Sequence, residues 1–238
     1  MTLTTNTPAP ATAGARLTAK LRLTVPAMLA EMTRMWDGPA PAETYLAWLR
    51  VMHGTIRATV PLMLAAAEAC LARTGDPVAD EFAAYLARHI REEYGHDRWV
   101  EEDYAAAGGD PVDLAGLLVG GSVAALVGAQ YYWIRHVHPI ALLGHIAVLE
   151  GYPPQPATAG HLAGLTGLPP AAFRSLERHA VLDQKHRADV YRLLDALPLT
   201  ARHEALIGVS ALHTAGTVRE IAAGVRERHA SSTGRERR

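Results

Sequence analysis

The segment HAVLDQKH sets His179, Asp183 and His186 at positions i, i+4 and i+7 of one helical run. At about 100° per residue the three fall within an arc of roughly 60°, so two imidazoles and a carboxylate share one face. That face is otherwise apolar. It continues through Ala172 and Leu176 on one side and Val190 and Leu194 on the other, while Arg174, Glu177, Lys185 and Asp189 lie elsewhere around the helix. A solvated stripe on an amphipathic helix would sit opposite the apolar seam, not within it. Packing the seam therefore desolvates the three polar groups, which costs several kcal/mol unless something pairs with them. Two imidazoles and a carboxylate in that position are metal ligands.

One helix seldom fills a coordination sphere, and two further segments supply candidates. HIREEYGHDRW reads as a helix with His89, Glu93 and His96 on a seam with Phe82, Leu86 and Val100. Glu93 and His96 form a Glu-x-x-His pair. Glu92 lies about 100° to one side, which favours Glu93 as the inward ligand, although a metal could draw either. GHIAVLEG ends an apolar stripe through Leu143, Ile146 and Ala147 on Glu150. The candidate metal ligands are thus Glu93, His96, Glu150, His179, Asp183 and His186, with no catalytic residue beyond them. Three imidazoles and three carboxylates suit two divalent ions and leave a small positive surplus for a bridging anion. Nitrogen and oxygen ligation without thiolate favours iron or manganese over a structural zinc.

The order of Glu and His on one helix, Glu on a later one, then HxxxDxxH on the next long helix resembles the haem-oxygenase-like di-iron oxidases and oxygenases, also described as iron-containing redox enzymes. The resemblance spans about residues 40 to 225. Its specific parts are EEYGHD at Glu92 to Asp97, LEG at Leu149 to Gly151, and His179, Asp183 and His186. It implies an all-α, single-domain haem-oxygenase-like bundle of seven or eight helices, with two Fe(II) per chain and dioxygen as co-substrate. The implied activity is oxidation of a small, amino-acid-derived metabolite in specialised biosynthesis, with an external electron donor where the reaction draws on one. Family members differ in where the first helix's carboxylate sits, some having it two turns before the histidine. Here that position is His89, so either Glu93 serves instead or His89 itself binds a metal. The expected partition gives Glu93 and His96 to one ion and Asp183 and His186 to the other, with His179 on the first and Glu150 bridging or shared.

Two other classes compete. A ferritin-like carboxylate protein needs a Glu-x-x-His pair on each of two helices, and only Glu93 and His96 provide one. A cofactor-less member of the same fold, of the pyrroloquinoline-quinone synthase or thiaminase kind, would bind a small molecule through the same histidines and acids. The single cysteine, Cys70, sits in LMLAAAEACLA with no context that depresses a thiol pKa, so it reads as a packing residue rather than a nucleophile. A lone cysteine forms no disulfide within the chain, which fits a reducing cytoplasm. His53 and Arg57, one turn apart, are candidates for binding a substrate carboxylate. His136 and His138, just before Pro139, read as capping or exposed residues.

Apolar residues make up 49% of 238, enough for one large core, and only 6% are aromatic, with no alternating strand of convincing length. The formal charge is −1 and no basic stripe is interleaved with aromatics, so nucleic acid is not an expected partner. Residues 1–12, rich in Thr, Pro and Ala, read as a disordered tail without an apolar signal region, 13–229 as the helical domain, and 230–238 as a disordered basic tail. Helices are expected over Ala15 to Trp36 with a bend near Pro26, Ala42 to Arg73 with a kink at Pro61, the Glu93 helix ending near Gly108 to Pro111, a run introduced by Pro169 and Pro170, and Ala201 to His229. Leu114 to Ile134 carries no charge and is long enough to cross a bilayer. Its Gly116, Gly120, Gly121, Ser122, Gly128 and Gln130 favour instead a central helix packed closely by small residues, in a protein without a membrane partner. Apolar outer helices make a homodimer the expected assembly.

Overall fold

Proline, glycine and short polar caps divide this chain into helices, and among the described residues no strand forms. The computed structural model describes residues 11–232, with side chains through 227, so most of the two expected tails lies outside it. Thr12 opens α1 (Ala13–Leu21), its side chain accepting from the Ala15 N–H. A bend at 22–24 leads to α2 (Val25–Arg34), where Pro26 sits in the first turn and its missing N–H costs little. The long α3 (Pro41–Leu71) continues through Pro61. Asp76 then caps α4 (Pro77–Glu93) by accepting from the N–H groups of Val78 and Ala79. After α5 (His96–Ala106) come the short α6 (Pro111–Ala115), α7 (Gly121–His136), α8 (Ala141–Leu149) and α9 (Thr158–Thr166). A 3-10 turn at Pro170–Phe173 introduces α10 (Arg174–Ala196), and α11 (Ala201–Ser232) ends the bundle. The all-α, single-domain architecture is the expected one, with several of the anticipated helices divided into segments.

The uncharged stretch from Leu114 to Ile134 is not the central helix. Residues 116–120 are non-helical, α7 buries only Val123, Leu126, Gln130 and Ile134, and Leu118 between α6 and α7 is 93% exposed. Gly116, Gly120 and Gly121 each raise the entropic cost of a helix there. The buried axis is α8, in which every residue from Ala141 to Val148 is buried. Among the described residues α3 is long and apolar enough to cross a membrane by length and composition, and here it packs against α4, α5 and α7.

Close approach fixes α8 against α11. A Cβ on Gly144 would lie 2.2 Å from the Ile207 carbonyl oxygen and 2.9 Å from the Ala211 nitrogen, both backbone atoms. Gly144→Ala is expected to cost about 1–3 kcal/mol by overpacking, read as a lowered denaturant midpoint. An unchanged midpoint would show that α11 can move away freely. The turn before α8 is held by His138, which is buried; its Nε2 lies 2.9 Å from Asp76 Oδ2 and its Nδ1 accepts from the Ile140 N–H at 3.1 Å. His136 is exposed.

Candidate metal centre

The helix expected to carry His89, Glu93 and His96 together ends at Glu93. Gly95 adopts φ +87°, a left-handed conformation that costs an L side chain about 1–2 kcal/mol, and α5 begins afresh at His96. Periodicity across EEYGHD therefore misplaced the junction. The turn nonetheless folds the His96 ring back, so that its Nδ1 lies 3.1 Å from Glu93 Oε2.

Three helices, α4, α8 and α10, deliver the remaining groups to this point. Glu150 is the residue at the C-terminal end of α8, and α10 presents Asp183 and His186 from its buried face. His186 Nδ1 lies 3.5 Å from Glu93 Oε1, 3.5 Å from Glu150 Oε2 and 3.9 Å from Asp183 Oδ1. His89 Nε2 lies 2.8 Å from Glu150 Oε1. One ligand atom from each of His89, Glu93, Glu150 and His186 falls within 4.8 Å of the others, and all four residues are buried. His89, which spacing left as an alternative to Glu93, thus joins Glu93 rather than replacing it. The signal for it was its place on the seam of Phe82 and Leu86.

His96 and Asp183 adjoin the group through Glu93 and His186 respectively. His179 lies one ring away, edge-on to His96 with centroids 5.2 Å apart. Its Nδ1 donates to the Ser175 carbonyl at 2.7 Å, which leaves the lone pair on Nε2. The two-ion partition expected from sequence set Glu93 and His186 apart, whereas the fold brings them together. Two aromatic residues frame the cluster without having been singled out by spacing: Tyr85 stacks on His89 at 5.1 Å and Trp99 on His96 at 3.9 Å. They stand one turn from those histidines on the same helices.

Burial sets the electrostatics. It pushes the Asp183 carboxyl up to about 8, with Glu150 and Glu93 adding to the rise. Glu150 is pushed up for the same first reason. Burial also acts against the Glu93 carboxylate, but the pairing with His96 outweighs it and holds Glu93 below the usual range. At His89 burial opposes the charge, and Glu150 and Glu93 overcome it, so this imidazole is held above its ordinary value. His179 and His186 are lowered, by burial first.

Four atoms of the cluster are buried with no hydrogen-bond partner: Glu150 Oε2, Asp183 Oδ1, His96 Nδ1 and His186 Nδ1. Native interiors satisfy nearly all such atoms, and orphans concentrated in one set of acids and imidazoles fit a bound cation. The donor set is nitrogen and oxygen, which suits iron. The one thiol, Cys70, is buried on α3 and pushed up to about 12 by that burial. His53, a candidate for a substrate carboxylate, pairs instead with Glu101 at 3.1 Å, and Arg57 is exposed. His145 is turned to Thr214 Oγ1 at 3.1 Å.

Residues 52–216, a stretch that takes in every candidate ligand, match the sequence family described as iron-containing redox enzyme. No curated protein matches this chain. Among solved structures, a domain of unknown function with a heme oxygenase-like fold from Shewanella denitrificans OS217 superimposes with a TM-score of 0.69 at 14% identity, over 91% of this chain and 89% of that one. A TenA homologue from Pseudomonas syringae pv. tomato DC3000 gives a TM-score of 0.61 at 13% identity, over 86% of this chain and 91% of that one. These likenesses show a fold, and the sequence match shows a lineage: an all-α haem-oxygenase-like bundle with nitrogen and oxygen donors buried at its centre, this chain belongs to the iron-containing redox enzyme family.

Proposed function

We propose that this chain is a non-haem di-iron oxidase or oxygenase that uses dioxygen to oxidise a small, amino-acid-derived metabolite. The number of donors carries the reading. His89, Glu93, His96, Glu150, His179, Asp183 and His186 gather from α4, α5, α8 and α10, more than one six-coordinate ion with an open position can take up. Glu93, Glu150 and Asp183 would supply the anionic ligands and the four imidazoles the neutral ones. When bound, Fe(II) supplies the electrons that activate dioxygen, and an external donor would supply more where the oxidation needs them.

The chain's own part is placement. Burial of the cluster excludes bulk water, and the Ser175 carbonyl fixes which nitrogen of His179 is free to ligate. Asp183 holds a proton near neutral pH in the metal-free protein, which it gives up when a cation takes that place. A cytoplasmic homodimer, without nucleic acid or membrane partners, completes the proposal.

Protein loaded anaerobically is expected to bind about two Fe(II) per chain and, on admission of air, to consume dioxygen when offered its substrate from a panel of amino acids and fatty acids. Chains that bind no iron would overturn the reading. That result would favour a cofactor-less member of the fold. A thiol nucleophile is disfavoured in either case, because Cys70 is 1% exposed and its thiol stays protonated at neutral pH.

A further inference from the structure

Glu92 stands on the outer side of the cluster, and its two oxygens face different partners. Oε1 takes a short contact from Lys185 Nζ, whose ammonium also lies 3.8 Å from Asp189 Oδ2. Oε2 lies 3.4 Å from His186 Nε2 and 3.6 Å from His89 Nδ1. Each imidazole therefore sits between Glu92 and the inner acids. The opposite nitrogen of His186, Nδ1, faces Glu93 and Glu150 at 3.5 Å, and the opposite nitrogen of His89, Nε2, faces Glu150 at 2.8 Å.

A neutral imidazole carries one N–H and one lone pair, so an acceptor on one side commits the lone pair to the other. His186 is 2% exposed, and its inner nitrogen has no hydrogen-bond partner, as a ligand atom awaiting a cation would. We propose that Glu92 is a positioning residue for the metal centre rather than a ligand: held by Lys185, it draws the N–H of His186 outward and so aims that ring's inner nitrogen at the metal, while His89 keeps its closer contact with Glu150. This inference rests on the metal-centre reading above. It also resolves the choice between the neighbouring glutamates, with Glu93 inside the ring of imidazoles and Glu92 outside it. A carboxylate on α4 that faces His186 and Lys185 on α10 couples those two halves of the site.

The test uses two readouts. Long-range nitrogen–proton correlation spectra of the metal-free protein are expected to show the His186 proton on Nε2 in the wild type and a mixture of tautomers in Glu92→Ala. Titration with Co(II), followed by its visible absorption, is expected to give affinity weakened roughly 10- to 100-fold in Glu92→Ala with unchanged stoichiometry. Glu92→Gln, which keeps one acceptor oxygen, should fall between Glu92→Ala and wild type. Lys185→Met alters an exposed residue and keeps the fold, so it provides a second variant; about two- to five-fold weakening is expected from the loss of one exposed ion pair.

Loss of a metal equivalent in Glu92→Ala would make Glu92 a ligand and overturn the proposal. Wild-type tautomer and affinity in both Glu92→Ala and Lys185→Met would reduce Glu92 to a surface ion pair and overturn it too. Should the wild type bind no Co(II), the metal-centre reading fails by itself, and the His186 tautomer still decides whether Glu92 orients that ring.

Discussion

His186→Ala is expected to lower iron affinity by more than about 100-fold, beyond the loss usual for an outer-shell change, and to abolish dioxygen consumption. His186 is the side chain that reaches every inner acid: Glu93 and Glu150 at 3.5 Å and Asp183 at 3.9 Å. Removing it takes away a candidate ligand and the imidazole that lies within 3.9 Å of all three buried carboxylates. A cation would then keep three acids already competing for protons and only the three remaining imidazoles. Iron content and oxygen uptake measure the effect, with circular dichroism to show that the helices persist. Val181→Ala is the control, because that side chain is 72% exposed on the same helix and its loss should leave both readouts near wild type. Full iron loading and turnover in His186→Ala would remove this residue from the centre.

The metal-free protein is expected to lose stability as pH rises from about 6.5 to 8. Asp183 is raised from an ordinary 3.8 to about 8, so its folded form holds a proton that the unfolded chain has released. The stabilisation from that shift is complete below 3.8 and is lost as pH rises through about 8. Glu150 and His89, both raised, act in the same sense. The depressed groups act elsewhere. Glu93 costs stability only when pH falls into the acid range, and His179 and His186 only below their ordinary 6.5. Across the stated window Asp183 alone corresponds to a loss of about 2 kcal/mol, or roughly 4–8 °C in Tm for a chain of this size. Metal displaces these protons, so the loaded protein should show a flat or rising Tm over the same range. Asp183→Asn should flatten the metal-free profile. A metal-free Tm that rises between pH 6.5 and 8 would contradict the burial of protonated acids at this site.

Periodicity served best where one helix runs unbroken through the site. On α10 the predicted seam is buried at Asp183, His186, Val190 and Leu194, whereas Leu176 and His179 nearer its start are only half-buried. Glu150 also sits where its stripe put it, because the apolar run of α8 admits no other end. The same reasoning failed at Gly95. Counting at 100° per residue assumes continuing helix, and a glycine that can take φ +87° ends that assumption without changing the hydrophobic pattern around it. It failed again over Leu114 to Ile134, where lack of charge resembled a core but the glycines left most of the stretch at the surface.

By itself the sequence determined the helical class, the family resemblance and the residue types of the centre, since each is written in local spacing and composition. Tertiary structure alone decided how those residues combine. Whether His89 joins Glu93, whether Glu92 faces inward or outward, and which acids approach His186 depend on how α4, α5, α8 and α10 meet. Those are contacts between segments as much as 97 positions apart, His89 to His186 with ring centroids 4.8 Å from each other. A periodic pattern reports which face of a helix is buried; it carries no information about which other face it will meet.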